Sequence, residues 1–428
     1  MNYKGGRVQI NQNMSVNPYY EFRTLKVEVQ LLSSDGDKLD GFAEYHGEGW
    51  KIFGDNGEGN TNISMEMLPA KYSFRVTYAG ATQQKSNVDV NTTPVVEFRT
   101  TKVTVELLDS KGKKLDGGAA EYHASGWKQF GEKGEANSEM ELLPVKYSFR
   151  VTYDGATQQK SNVQIAEAAT DVVTFQTGAI ILHYAGGTLS YHSSGWKAYT
   201  GALEMLPVKT QFRLQRSGWP NGQFYITPVE GQVYEKTIAV LRLVDSKGNG
   251  LAGGTASYYA SGYKELGQTD KNGVCIAMLD GNQARTLTFR MERDGGGRTE
   301  VSQNLAVDSF ILFQTKNVTF RLLDSNGTLL DGKAYYYASG WKTFGEGTTP
   351  TNMEMLPNTY SFMVSYKGGS KNMSQNIGEN PVVEFKTVPV TVILKDSRGT
   401  IINNNATSAY YDGGYQPIGP TGTSIELL

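Results

Sequence analysis

A unit of roughly 70 residues recurs along this chain, and that recurrence constrains the fold more than any other feature. Tyr72-Ser-Phe-Arg-Val-Thr-Tyr78 returns unchanged at Tyr147 to Tyr153, and in close form as Tyr360-Ser-Phe-Met-Val-Ser-Tyr366. A Gly-Trp-Lys marker puts Trp50, Trp127, Trp196 and Trp341 in one column, with Tyr263 and Tyr415 in the same place. Successive spacings are 77, 69, 67, 78 and 74 residues. Solenoid repeats are shorter, roughly 20–50 residues, and share their core with neighbours. A unit of this length can hold a core of its own. The expected organisation is repeat 1 at 25–100, repeat 2 at 101–177, a divergent repeat 3 at 178–236, repeat 4 at 237–315 and repeat 5 at 316–387. Residues 1–24 read as the C-terminal part of a truncated repeat, and 388–428 as the N-terminal part of another.

Inside one unit the pattern is strand throughout. In Lys102-Val-Thr-Val-Glu-Leu107 the residues Val103, Val105 and Leu107 share one face and the polar residues the other, the mark of a half-buried strand. Asp109-Ser-Lys-Gly112 has turn chemistry and recurs at Asp245 to Gly248, Asp324 to Gly327 and Asp396 to Gly399. One carboxylate per turn cannot supply the six to eight or so oxygens that calcium takes, so these are read as turns. Leu-Pro pairs follow at Leu68, Leu143, Leu206 and Leu356, then the strand in which Tyr147, Phe149, Val151 and Tyr153 face inward. Seven short strands with turn signals between them predict an all-β protein, a tandem array of small seven-stranded β-sandwiches.

The turn, the Gly-Gly, the aromatic strand and the Leu-Leu-Pro-x-x-Tyr-x-Phe strand resemble the prealbumin-like, or Ig-like, sandwiches of bacterial surface proteins, the Cna-B type and carboxypeptidase-regulatory-like modules. The resemblance spans essentially the whole chain and implies stalks and adhesive arms outside the cell. Some Cna-B type modules carry a Lys–Asn isopeptide bond from a first-strand lysine. Lys26 and Lys102 match that place, whereas later units have Ala179, Ile238, Asn317 and Pro389, so no crosslink common to all repeats exists.

Composition narrows the function. With 41 basic and 43 acidic side chains and a formal net charge of -2, the chain lacks the basic footprint of nucleic-acid binding. A single cysteine, Cys275, makes neither a disulfide framework nor a structural zinc site. No stretch approaches the roughly 20 apolar residues of a spanning helix, and the opening Met1 to Arg7 lacks the apolar segment of a secretion signal. Any export signal is expected outside this chain. Closing strands run into opening strands without spacers, as at Val95-Val-Glu-Phe-Arg-Thr100 into Thr101-Lys-Val, which predicts stiffly joined units.

Catalytic chemistry is not indicated. His46, His123 and His192 occupy one repeat column that becomes Tyr259, Tyr337 and Tyr411 later, so the column selects a flat ring and not a metal ligand or a general base. His183 stands alone. Asp294-Gly-Gly-Gly-Arg298 is glycine-rich but opens no helix, a weak phosphate cradle. No cofactor and no metal are expected. Phe53, Phe130, Tyr199, Leu266, Phe344 and Ile418 stand three residues after the tryptophan column and read as core. Strand parity then turns the tryptophan and histidine columns outward. Trp50, Trp127, Trp196, Tyr263, Trp341, Tyr415, His46, His123, His192, Tyr259, Tyr337 and Tyr411 form either exposed ring patches or packing surfaces against the sandwich edge or the next repeat.

The expected function is an extracellular or cell-surface structural and adhesive repeat region, a stiff rod or stalk of a larger protein and not an enzyme. The alternative is a multivalent glycan-binding array. Partners under either reading are a surface or matrix polysaccharide or a protein receptor. A further expectation is head-to-tail self-association through the incomplete units at 1–24 and 388–428.

Overall fold

A computed structural model describes residues 1–293, 297–402 and 406–428. Most of the Asp294–Arg298 run therefore lies outside the described residues. Among the described residues there are strands and turns and no helix. The chain divides into two compact units, one of Met1–Ile181, Ser190–Phe212 and Tyr225–Tyr234, the other of Leu182–Leu189, Arg213–Phe224 and Glu235–Leu428.

In the first unit, the segment from Thr101 to Gln176 shows how the sandwich is built. Its strands are β1 (Thr101–Leu108), β2 (Ala119–His123), β3 (Trp127–Gln129), β4 (Ser138–Leu142), β5 (Lys146–Tyr153), β6 (Ala156–Gln164) and β7 (Thr170–Gln176). They form a three-stranded sheet β4-β1-β7 and a four-stranded sheet β3-β2-β5-β6. Neighbours are antiparallel except β1 and β7, which run parallel from Lys102↔Thr170 to Leu108↔Gln176. This is the prealbumin-like strand order. The alternation of β1 becomes burial, since Val103, Val105 and Leu107 lie in the core with Tyr122, Phe130, Phe149 and Phe175. Each such side chain contributes about 1.5–3 kcal/mol by leaving water.

The segment before it repeats the plan, with sheets Ile63–Met67, Leu25–Leu32, Val95–Arg99 and Trp50–Ile52, Phe42–His46, Lys71–Tyr78, Ala81–Asp89. After it, Gly178–His183 pairs with Leu203–Met205, and Thr188–His192 with Trp196–Ala198. In the second unit, Val274–Asp280 and Phe310–Gln314 flank the Lys236–Val244 part of the strand Val233–Val244, and Tyr263–Gln268, Thr255–Tyr259, Thr286–Arg293 and Gly297–Asn304 form a second sheet. The 12-residue strand Val233–Val244 runs through the expected boundary between repeats 3 and 4. Lys316–Leu323 is flanked by Thr351–Met355 and, in parallel, by Val382–Lys386. Val388–Thr391 pairs with Ser424–Leu427, and Thr407–Tyr411 with Tyr415–Pro420.

The Oδ1 atom of Asp109 accepts the amides of Lys111 and Lys113 at 2.9 and 2.8 Å, and its carbonyl accepts Gly112 N at 3.0 Å. Asp245, Asp324 and Asp396 do the same. That oxygen is committed to the turn, with Gly112 supplying the positive φ of 83°. The first-strand lysines face outward. Lys26 is exposed, and Lys102 Nζ lies 2.8 Å from Asp35 of the preceding repeat, so neither amine faces the interior of its own sandwich.

Candidate functional site: ring ladders and repeat junctions

The outer face of the four-stranded sheet carries the aromatic columns. His123 and Trp127 are register partners across β2 and β3, and their rings meet edge to face at 5.3 Å. The same pair recurs as His46–Trp50 at 5.3 Å, His192–Trp196 at 5.5 Å, Tyr259–Tyr263 at 5.4 Å, Tyr337–Trp341 at 5.6 Å and Tyr411–Tyr415 at 5.6 Å. The first members are exposed and the second half-buried or exposed, Trp341 at 42% and Tyr415 at 83%. Phe53, Phe130 and Phe344, three residues on, are fully buried, and Tyr199 nearly so, whereas Leu266 and Ile418 are half-buried.

A cation covers part of the ladder. The Arg150 guanidinium lies 4.2 Å from the Trp127 ring centre, held there by Glu121 at 2.6 and 2.8 Å. Arg75, Trp50 and Glu44 repeat this, and Arg290 stands 3.3 Å from the Tyr263 ring centre. The Arg150 charge holds the Glu121 carboxyl below the usual range. In repeat 5 the face changes, with Tyr335 and Met363 in the Glu and Arg places, so the rungs there are uncharged. Nothing in this face resembles a catalytic set, and among the described residues no group of three or more His, Cys, Asp or Glu could hold a metal ion.

A second recurrent arrangement joins consecutive repeats within each unit, and it was not anticipated from the sequence. Glu204, on Leu203–Met205, receives Ser110 N at 2.9 Å and Ser110 Oγ at 2.7 Å from the turn after β1, and the hydroxyl of Thr177. Glu141 receives Ser34 N at 3.2 Å, Ser34 Oγ at 2.6 Å and the Thr100 hydroxyl. Glu354 is held likewise by Ser246 and Thr315, and Glu426 by Ser325 and Thr387. The threonines sit where one repeat ends, and each is at most 3% exposed. One carboxylate of the following repeat thus collects three donors from its predecessor. Such charge-assisted bonds are stronger than neutral ones. Ser325 and Thr387 hold the Glu426 carboxyl below its ordinary range.

The turn between the fifth and sixth strands makes the other half of the junction. Ala79 and Gly80 carry φ of 52° and 85°, and the Ala79 carbonyl accepts the Tyr122 hydroxyl at 2.9 Å. At the next junction the Asp154 carboxylate accepts the Tyr191 hydroxyl at 2.9 Å and pairs with Lys197. Burial, then the Asp154 carboxylate, push the Tyr191 phenol up to about 12. A Cβ on Gly155 would stand 2.4 Å from Ser194 Oγ, so glycine permits the close approach.

The clasp had a sequence signal. Ser at the second place of the turn after the opening strand (Ser34, Ser110, Ser246, Ser325), the closing Thr and a Glu two residues before a Leu accompany one another at four junctions, and all three are missing where repeat 3 meets repeat 4. Repeat 3 has Tyr184-Ala-Gly-Gly187 in place of the turn, and repeat 4 has Met278 opposite Ile238, where repeat 5 has Glu354 opposite Asn317.

No family model matches this chain, and no curated protein matches it. Similar solved structures include the Bacillus anthracis TIE protein, at 13% identity over 68% of this chain and 74% of that one, with a TM-score of 0.16. A streptococcal ancillary pilin is 14% identical over 50% of this chain and 98% of its own, TM-score 0.17. The major pilin subunit BcpA of Bacillus cereus is 9% identical over 68% and 99%, TM-score 0.14. Strand order and register define the sandwich in the Thr101–Gln176 segment.

Proposed function

We propose that this chain is a structural and adhesive repeat region of a larger cell-surface or extracellular protein, with five sandwich repeats at 25–100, 101–177, 178–236, 237–315 and 316–387. The observation that carries this reading is the Ser–Thr–Glu clasp, the same three donors on one carboxylate at four junctions. A ligand-binding or catalytic chain has no need to fix the register of successive cores at one junction after another; a region that transmits force or holds a tip at a distance does.

Spin labels on cysteines placed at Asn91 and Lys133, exposed positions in repeats 1 and 2 of the same unit, test it. The buried Cys275 does not compete for label. A narrow distance distribution that broadens in Glu141→Ala is the expected result. A distribution already broad in the unaltered chain removes the mechanical reading.

The outward ring ladders favour a second reading, a multivalent glycan array in which weak sites add by avidity. Its test is retention on a polysaccharide matrix, compared with a protein carrying alanine at Trp50, Trp127 and Trp341. Binding lost while the thermal transition is kept supports the array; no binding by either protein leaves the structural role alone.

A further inference from the structure

The ring pairs recur along the chain, but what lies over them does not. In repeat 2 the Arg150 guanidinium stands 4.2 Å from the Trp127 ring centre, and in repeat 1 Arg75 stands 4.1 Å from that of Trp50. Each arginine is tied by two bonds to the glutamate opposite it in register, Glu121 or Glu44. Arg290, bonded to Glu300, caps Tyr263 in repeat 4. A ligand stacking on one of these rings has first to displace a cation held by charge-assisted bonds, the stronger class.

Repeat 5 keeps the rings and lacks the cap. Tyr335 faces Met363 in the register where Glu121 faces Arg150, so both charges are gone. Trp341 is 42% exposed and Tyr337 52%, and among the described residues no cation lies over either ring. The rest of this face is polar and nearly uncharged. The Ser361 and Ser374 hydroxyls meet at 3.2 Å, those of Ser365 and Ser370 at 2.7 Å, and exposed Asn372 is the register partner of Met363. Lys333, the charged residue of the face, lies four residues along the strand from Tyr337, about 13 Å away.

This chemistry selects its occupant. A pyranose ring has a flat face of axial C–H groups that stacks on an indole, and equatorial hydroxyls that exchange hydrogen bonds with serine and asparagine. An acidic sugar finds its nearest amine on this face away from the rings, and a partner's arginine finds no carboxylate of the kind that holds Arg150. We propose that repeat 5 carries the open site of the chain, for an uncharged polysaccharide of pyranose units with Trp341 as the stacking ring, while the chain's own arginines fill the equivalent place in repeats 1, 2 and 4. This rests on the glycan reading given above and narrows it from all the ladders to one.

Affinity electrophoresis of the full chain in gels containing hydroxyethylcellulose tests it, with carboxymethylcellulose as the charged form of the same backbone. The unaltered protein is expected to be retarded by the neutral polymer and no more strongly by the charged one. Trp341→Ala is expected to weaken binding roughly tenfold. Tyr335→Glu with Met363→Arg installs the cap of repeat 2 and is expected to abolish retardation with Trp341 in place. Glu121→Tyr with Arg150→Met removes the cap over Trp127 and is expected to strengthen retardation by about twofold or more, through a second site. That gain cannot come from a variant that fails to fold. No retardation of the unaltered chain, preference for the carboxymethylated polymer, or binding that the installed cap leaves intact overturns the proposal. If Trp341→Ala is retarded like the unaltered chain while alanine at Trp50, Trp127 and Trp341 together abolishes binding, the array reading survives and the assignment to repeat 5 alone fails.

Discussion

Replacing Glu141 by alanine isolates the clasp, because it removes one acceptor and leaves both cores untouched. Three donors lose their partner, and they do not lose equally. Ser34 N–H and Oγ–H lie at a half-exposed site and can turn to water, so each forfeits only the net worth of a hydrogen bond, about 0.5–1.5 kcal/mol. The Thr100 hydroxyl is 1% exposed, and a buried donor without an acceptor costs about 1–3 kcal/mol. It has a fallback, since the Leu32 carbonyl lies 3.3 Å away, which puts its share at the low end. The three losses are not additive, and a junction penalty of about 2 kcal/mol follows. At about 1.4 kcal/mol per tenfold, that is roughly a 30-fold rise in local opening. Amide hydrogen exchange of Ser34 reads it directly, with Ser110 as the control within the same chain. Ser34 exchange should accelerate roughly 30-fold while Ser110 is unchanged, and Glu141→Gln, which keeps an acceptor without the charge, should fall between. Exchange altered less than about twofold, or rising equally at both serines, would show that the carboxylate does not hold the repeats and would refute the clasp argument.

The pH response follows from Glu426. Its carboxyl is held below the ordinary range by Ser325 and Thr387, so its contribution is fully present above the unfolded glutamate value and is lost as pH falls through the lower folded value. Protection of the Ser325 amide should therefore persist through the usual glutamate titration and fail only in stronger acid; loss at or above the ordinary range would contradict it. The Cys275 thiol is buried and pushed up to about 11, so native protein at pH 8 should react slowly with a thiol reagent and unfolded protein fast. Equal rates would be inconsistent with its place in the core. Trp127→Ala and Phe130→Ala should part company in thermal melts. The first removes a half-exposed ring and a cation–π contact of about 0.5–1 kcal/mol, and the second empties a core site at about 3–5 kcal/mol.

What could be read in the sequence was whatever a local period carries. Alternation in Lys102 to Leu107 became the burial pattern of β1, and a three-residue offset separated the outward Trp127 from the buried Phe130. The Asp109 turn was legible because its chemistry lies within five residues. The clasp was not, because its partners lie far apart: Ser34 and Glu141 are 107 residues apart in the chain, and Ser246 and Glu354 are 108. A charged residue at an alternating strand position reads as a solvated one, and nothing local marks Glu141 as an acceptor for the preceding repeat. The strand Val233–Val244 was obscured for a different reason. Its apolar run in Ile238 to Leu241 is buried on both sides, so alternation is lost where the expected boundary fell.

Divergence within the chain itself argues that the clasp is a unit rather than three separate surface bonds. If serine, threonine and glutamate were each retained for local reasons, a repeat that lost one would keep the others' partners as often as not. Instead the losses fall on the two sides of a single junction. The repeat lacking a donor turn, with Tyr184-Ala-Gly-Gly187, is followed by the repeat whose acceptor place holds Met278. There Lys236 stands in the place of the closing threonine and pairs with Asp280. An unpaired carboxylate at a half-buried place would carry a desolvation cost with no donors to offset it, so once the serine turn is gone an apolar residue is the more stable occupant. The same reasoning makes an asymmetric expectation. Restoring a glutamate by Met278→Glu should lower the melting temperature of that repeat, whereas the glutamates at 141, 204, 354 and 426 stabilise theirs. A neutral or stabilising Met278→Glu would mean that the carboxylate is tolerated without its donors, and the clasp would lose its standing as a matched set.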